Sequence, residues 1–151
     1  MQISVDDLSG PEIAAFLEEH VQDMRAVTPL ESKHALDLDG LRGPEVTFWA
    51  ARDGGMLLGC GAIKRIDATH GEIKSMRTAP ARKRGGVASR LLAHVVSEAR
   101  RMGYTRLSLE TGATEFFAPA RALYEKFDFE YCAPFADYKE DPNSAFMTRL
   151  L

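Results

Sequence analysis

The sequence predicts a mixed α/β domain in which an antiparallel meander leads into a parallel strand–helix–strand crossover. Three features predict it. Three extended runs, Val46 to Arg52, Met56 to Ile66 and Glu72 to Thr78, follow one another across short turns, the first of which is Asp53-Gly54-Gly55. An amphipathic stretch comes next, with Val87, Leu91, Leu92, Val95, Val96, Ala99 and Met102 at the spacing of one buried helical face. Thr105 to Thr111 is extended again, and a strand, helix and strand in this order favour parallel pairing through a right-handed crossover.

The remaining elements fit around that frame. Ile3 and Val5 mark a first strand within Met1 to Asp6. Ser9-Gly10-Pro11-Glu12 offers a capping box, and Ile13, Phe16, Leu17, Val21 and Met24 follow at helical spacing to about Ala26, before Pro29. A short second helix is expected around Glu31 to Leu38, in a polar stretch holding His34, Asp37, Asp39 and Arg42. Gly103 closes the long helix after Arg100 and Arg101. Beyond Thr111, Gly112 to Phe117 reads as a loop and Pro119 to Phe127 as a helix with Ala122, Leu123 and Phe127 inward. Phe129 to Cys132 and Ala145 to Thr148 form a last pair of strands around the polar loop Asp137 to Asn143.

At 151 residues the chain suits one domain spanning 1–151. A net charge of −3 gives no basis for general nucleic-acid affinity, so any basic cluster is local. No apolar run approaches the roughly 20 residues of a membrane span, and MQISVDDLSG lacks the regions of a secretion signal. The expected location is cytoplasmic, with no membrane partner. Cys60 and Cys132 lie far apart, and together with four histidines they give no metal-ligand spacing, so no metal is expected.

One turn carries chemistry. Arg82, Lys83 and Arg84 run into Gly85-Gly86 at the start of the long helix. Glycines let a bound group approach the backbone, and first-turn amides without internal partners attract anions. This is a phosphate or pyrophosphate cradle. A dinucleotide fold would require Gly-x-Gly-x-x-Gly after a first parallel strand, and neither the spacing nor the preceding meander fits.

Element order and local patterns resemble the GNAT superfamily of acyl-CoA-dependent N-acetyltransferases. Lys83-Arg84-Gly85-Gly86-Val87-Ala88 is similar to its Arg/Gln-x-x-Gly-x-Gly/Ala loop, with Lys83 at the Arg/Gln position and Pro80 upstream. Ala120, Leu123, Tyr124, Lys126 and Phe129 match its later Asn-x-x-Ala-x-x-Leu-Tyr helix, where Phe117 replaces the Asn and Asp128 a Gly. The tail from Gly112 resembles YsnE-type bacterial members.

The resemblance implies a GNAT-like fold, acetyl-CoA as cosubstrate and transfer of its acetyl group to a primary amine, by direct attack on the thioester. It implies that the backbone of Met76, Arg77 and Thr78 holds the pantetheine arm, and that amides from Arg84 through Gly85, Gly86, Val87 and Ala88 to Ser89 take the pyrophosphate. Tyr124 is the candidate proton donor to the CoA sulfur, since a phenol near pKa 10 can protonate a departing thiolate. Glu72 and Glu110, at one end each of neighbouring strands, are candidate bases, with His34 and His70 as alternatives by titration range. For the acceptor, Arg42, Arg52 and Arg77 suit a carboxylate and Asp37 with Glu110 suits a cationic substrate; His34 lies in the region that helps form the acceptor pocket in relatives. A small-molecule amine is favoured over a protein amine, a homodimer is the family-based expectation, and a non-catalytic acyl-CoA-binding module of the same fold is the rival.

Overall fold

The computed structural model describes residues 1–27, 38–79 and 85–151. Along them run β1 (Gln2–Val5), α1 (Pro11–Val27), α2 (Leu38–Leu41), β2 (Val46–Asp53), β3 (Met56–Arg65) and β4 (His70–Thr78). Then come α3 (Val87–Arg101), β5 (Arg106–Gly112), a 3₁₀ turn at Glu115–Phe117, α4 (Ala118–Lys126), β6 (Glu130–Tyr131) and β7 (Ser144–Leu150). Among the described residues, seven strands form one mixed sheet in the order β1-β2-β3-β4-β5-β7-β6. β1 to β4 are antiparallel neighbours, β4 and β5 pair in parallel, and β7 inserts antiparallel between β5 and β6. The expected meander and crossover are both present.

Local chemistry explains the elements. Asp53 faces Met56 across Gly54 and Gly55, whose φ values of 55° and 84° give the left-handed pair that a two-residue hairpin needs. α3 buries Val87, Leu91, Leu92, Val95, Val96 and Ala99; each of the valines and leucines contributes about 1.5–3 kcal/mol when fully buried. It ends at Gly103 with φ 92°. Met102, expected on the same face, is instead exposed, because the helix closes one residue before it.

Two other expectations change. Ser9 does not cap α1: its hydroxyl donates to Asp7 Oδ1 at 2.6 Å, and Glu12 pairs with Arg52 at 3.1 Å. Pro11 still opens the helix. On α4 it is Ala120, Leu123, Tyr124 and Phe127 that pack inward, while Ala122 faces solvent. The inward set follows the i, i+3, i+4, i+7 stripe, and Ala122 lies off it. The short helix expected at Glu31 to Leu38 falls, apart from Leu38, outside the described residues.

α3 and α4 share one apolar cluster, in which Leu92, Val95 and Tyr124 meet Trp49, Ile63, Ile73, Leu107 and Leu109 of the sheet. α1 packs in another, where Ile13, Phe16 and Leu17 meet Phe48, Ala50, Cys60 and Ala62. Within β4 the register slips. Cys60 pairs with Arg77 and Ala62 with Lys74, so Ser75 and Met76 together oppose the single residue Gly61. Ser75 takes φ 56°, and its carbonyl accepts from Cys60 Sγ at 3.1 Å. One inserted residue exchanges the faces of all that follow. Met76 therefore joins Ile73 on the α3 side, and Arg77 stacks over Phe16 of α1 at 5.1 Å, overriding the simple alternation of Ile73, Ser75 and Arg77.

Gly59, opposite Thr78 at the end of β4, has no room for a side chain. A Cβ there would lie 2.7 Å from the Arg77 carbonyl oxygen and 2.9 Å from Leu91 Cδ1. Gly59→Ala should therefore cost about 1–3 kcal/mol by overpacking, measured as a lowered urea midpoint at constant m; an unchanged midpoint would contradict this packing.

Candidate active site

The site opens where the sheet comes apart. β4 and β5 pair from His70 and Arg106 only as far as Ile73 and Leu109. Beyond that point β4 stays attached to β3 as far as Thr78, and β5 to β7 as far as Gly112. The two parallel strands thus diverge into a wedge, with backbone edges facing across it. A cavity of about 140 Å³ lies there. Glu72 to Met76 form one wall and Glu110 to Gly112 the other. Phe117, Ala120 and Tyr124 close one side; His20 and Met24 of α1, with Asn143 and Ser144, close the other.

Tyr124, placed on the inward stripe of α4, is 7% exposed and meets Phe129 edge-on at 5.8 Å. Burial pushes its phenol well above the ordinary value of 10, so the group stays protonated. Phe117 reaches the cleft because Gly112 yields the space: a Cβ on Gly112 would overlap the Phe117 ring. Arg121 Nη1 fixes that corner by donating to the carbonyls of Gly112 and Thr114 at 2.7 and 2.8 Å.

The two candidate carboxylates differ in their surroundings. Glu72 is 4% exposed; its Oε2 accepts from Tyr138 Oη at 2.5 Å and from Lys74 Nζ at 3.1 Å. Lys74 also donates to Tyr138 Oη at 3.0 Å, closing a three-membered network. A buried carboxylate and ammonium offset their desolvation only through such pairing. Burial, and next the Glu72 hydrogen bond, raise the Tyr138 phenol far above its usual range. Glu110 Oε2 accepts from Ser144 Oγ at 2.7 Å on the opposite wall. Glu72 and Glu110 therefore face one cavity from two strands.

Other predicted residues lie elsewhere. Arg42 donates to the Leu8 carbonyl at 2.6 Å and approaches Asp39 at 3.7 Å, and it does not line the cavity. Arg52 pairs with Asp6 and Glu12. Arg77 is bound to α1: Nη1 lies 3.0 Å from Asp23 and 3.4 Å from His20 Nδ1, and Nη2 lies 3.2 Å from Glu19. His70 is 2.7 Å from the buried Ser108 hydroxyl, away from the cavity. His34, Asp37, Lys83 and Arg84 lie outside the described residues. Gly85 and Gly86 precede α3, with Gly86 at φ 81°; Val87, Ala88 and Ser89 form its first turn, whose amides have no acceptor within the helix. Met76, Arg77 and Thr78 run along the end of β4 beyond the divergence. Among the described residues no cluster of three or more His, Cys, Asp or Glu could hold a metal ion, and no helix is long and apolar enough to cross a membrane.

Sequence reasoning missed His20, Lys74 and Tyr138. Helical spacing from Phe16 to His20 puts the histidine on the same face of α1, a usable signal. Tyr138 sits in a polar loop and gave none.

Residues 13–129 match the model of the acetyltransferase (GNAT) family. The chain belongs to that family. It is 56% identical to the uncharacterized N-acetyltransferase YsnE of Bacillus subtilis over 151 residues, covering 100% of both chains. It is 47% identical to the uncharacterized N-acetyltransferase YedL of Escherichia coli over 149 residues, covering 99% of this chain and 94% of YedL. The IAA acetyltransferase of Azospirillum brasilense is 38% identical over 140 residues, with 92% of this chain and 90% of the relative covered. Among solved GNAT folds, an aminoglycoside 6'-N-acetyltransferase complexed with coenzyme A superimposes with a TM-score of 0.73 at 18% identity, covering 99% of this chain and 97% of that one. Ribosomal-protein-alanine N-acetyltransferase of Brucella melitensis gives 0.74 at 20% identity, covering 100% of both. This GNAT chain is an acyltransferase.

In this GNAT cleft His20 is held neutral. Burial, and next the Arg77 charge, lower its pKa from 6.5 to about 4, against an opposing pull from Asp23. Between those values the unfolded chain binds more protons than the folded protein. The resulting stability is complete above pH 6.5 and is lost as pH falls through about 4. His20→Asn should remove this component, flattening the pH 4–7 dependence of urea stability by on the order of 2 kcal/mol; an unaltered slope would contradict the assignment.

Proposed function

We propose that this chain transfers the acetyl group of acetyl-CoA to a primary amine of a small molecule by direct attack on the thioester, with Tyr124 as proton donor to the departing sulfur. The observation carrying this reading is the divergence of β4 from β5 with Tyr124 beside the opening. Unpaired amides at the end of β4 can receive the pantetheine arm as an added strand, and the bulge at Ser75 turns Met76 to Thr78 toward that role. Any free amide there can also polarise the thioester carbonyl. The first-turn amides of α3, after Gly85 and Gly86, suit the pyrophosphate. Catalysis is then mainly positioning.

Proton movements follow from the two walls. Nucleophilic attack needs a neutral amine, and collapse of the tetrahedral intermediate breaks the C–S bond and leaves a thiolate. Tyr124 is kept protonated by burial, so it has a proton to give. Glu72 is committed to Tyr138 and Lys74 through its Oε2; in this reading it orders the acceptor wall. Glu110 takes the amine proton, directly or through one water. The acceptor class draws support from cavity size, since about 140 Å³ suits a compact amine better than a peptide segment. The relative named for IAA acetylation is consistent with a small acceptor.

The purified protein, given acetyl-CoA and a panel of small primary amines, should release free thiol. Tyr124→Phe should lower kcat by about 10²- to 10⁴-fold while the KM for acetyl-CoA stays nearly constant. Because the phenol is raised, the kcat profile should show no alkaline loss from Tyr124 below about pH 10. Undiminished turnover in the phenylalanine variant would reject the proton-donor role, and the absence of thiol release with every amine would favour a non-catalytic binding module.

A further inference from the structure

His20 belongs to none of the roles assigned so far, yet it lines the cavity from α1. Its Nδ1 lies 3.4 Å from Arg77 Nη1. A guanidinium carries only donors, so Nδ1 must be the acceptor and the ring proton must sit on Nε2. Arg77 is itself fixed: it is packed over Phe16 at 5.1 Å and bridges Glu19 and Asp23, with its own side chain 7% exposed. Nε2 of His20 makes no hydrogen bond among the described residues and is not sealed in the core. With Nδ1 turned to Arg77 and His20 lining the cavity, Nε2–H is the donor the ring has left among the described residues.

Its electrostatic setting favours a negative partner. Arg77 draws electron density from Nδ1 and strengthens the Nε2–H donor. The carboxylates that balance Arg77 are more than half exposed, at 57% and 52%, so water screens them more than it screens the buried guanidinium. On the neighbouring wall Lys74 and Glu72 offset one another as a buried ion pair. Glu110 stands across the cavity on β5, where an acceptor's ammonium would sit before losing its proton.

We propose that His20, locked by Arg77 as the Nε2–H tautomer, is a specificity residue that donates to a carboxylate carried by the amine acceptor. The substrate class is then a small amino acid or related aminocarboxylate, and Arg77 acts as a positioning residue through His20. The inference rests on the acetyl-transfer reading of the same cleft, and its test separates the two.

Imidazole ¹⁵N spectra of the full chain should show His20 with a protonated Nε2 and an unprotonated Nδ1, and Arg77→Met should weaken that preference toward the tautomer mixture of a free imidazole. Matched amines with and without a carboxylate, such as β-alanine against ethylamine and L-phenylalanine against 2-phenylethylamine, supply the kinetic arm. His20→Phe should raise the KM of the carboxylated members roughly 10- to 100-fold, the scale of a lost hydrogen bond to a charged group. The KM of the plain amines should change far less, so that discrimination within each pair is what falls, and His20→Gln should restore much of that discrimination. An Nδ1–H tautomer in the wild type, or equal effects on both members of each pair, would overturn the proposal. If no amine is acetylated but the His20 Nε2–H resonance shifts only with carboxylated probes, recognition stands and the acetyl-transfer reading fails. No shift with any carboxylated probe overturns recognition as well.

Discussion

β4 carries one residue more than β3 can match, and much of the site depends on where that residue goes. At Ser75 the backbone turns left-handed, a conformation that costs a non-glycine residue of order 1–3 kcal/mol. The Cys60 thiol on the Ser75 carbonyl and the absence of a side chain at Gly61 help hold it there: a Cβ on Gly61 would lie 2.5 Å from Met76 Sδ. Below the bulge, Glu72 and Lys74 face the cavity from the α1 side. Above it, Met76 faces α3 and Arg77 reaches α1. Without the extra residue, Met76 and Arg77 would exchange faces, and α1 would lose the cation that fixes His20.

The sheet's second irregularity works with the first. Parallel pairing of β4 and β5 ends after four residue pairs, while each strand keeps its outer neighbour. The wedge is therefore held open from both sides. Its two flanks are chemically unlike. Ile73, Met76, Ala120 and Tyr124 make one flank apolar and able to shelter a thioester. Glu72, Lys74, Glu110, Ser144 and His20 make the other polar, which suits the acceptor side of the proposed reaction. Fold likeness to enzymes named for an aminoglycoside and for a ribosomal-protein alanine shows that one architecture serves different acceptors. The acceptor must accordingly be read from these side chains.

Periodicity made the frame legible. The apolar stripe from Val87 to Ala99, the Gly54-Gly55 hairpin and the strand after Gly103 each carry local physical signals, and all are realised. The loop and Ala-x-x-Leu-Tyr patterns likewise pointed to the family and to the cleft side of Tyr124. Tertiary placement was not legible. Tyr138 reaches Glu72 only because β7 inserts between β5 and β6 and swings its preceding loop across the sheet. A left-handed serine leaves no mark in the sequence, and simple alternation along Glu72 to Thr78 would put Met76 and Arg77 on the wrong faces. Arginines at positions 42, 52 and 77 looked like free anion receptors, but each is committed to groups whose proximity depends on long-range folding.

The central claim is that the open edge of β4 and the first turn of α3 together hold the acyl donor. Titration of ¹⁵N-labelled protein with coenzyme A, followed through backbone amide shifts and exchange, tests it most directly. The account predicts the largest shifts and new protection at Met76, Arg77 and Thr78 and at Gly85 to Ser89, with β1 and β2 little affected. Saturable binding that leaves both sets of amides unperturbed would contradict it.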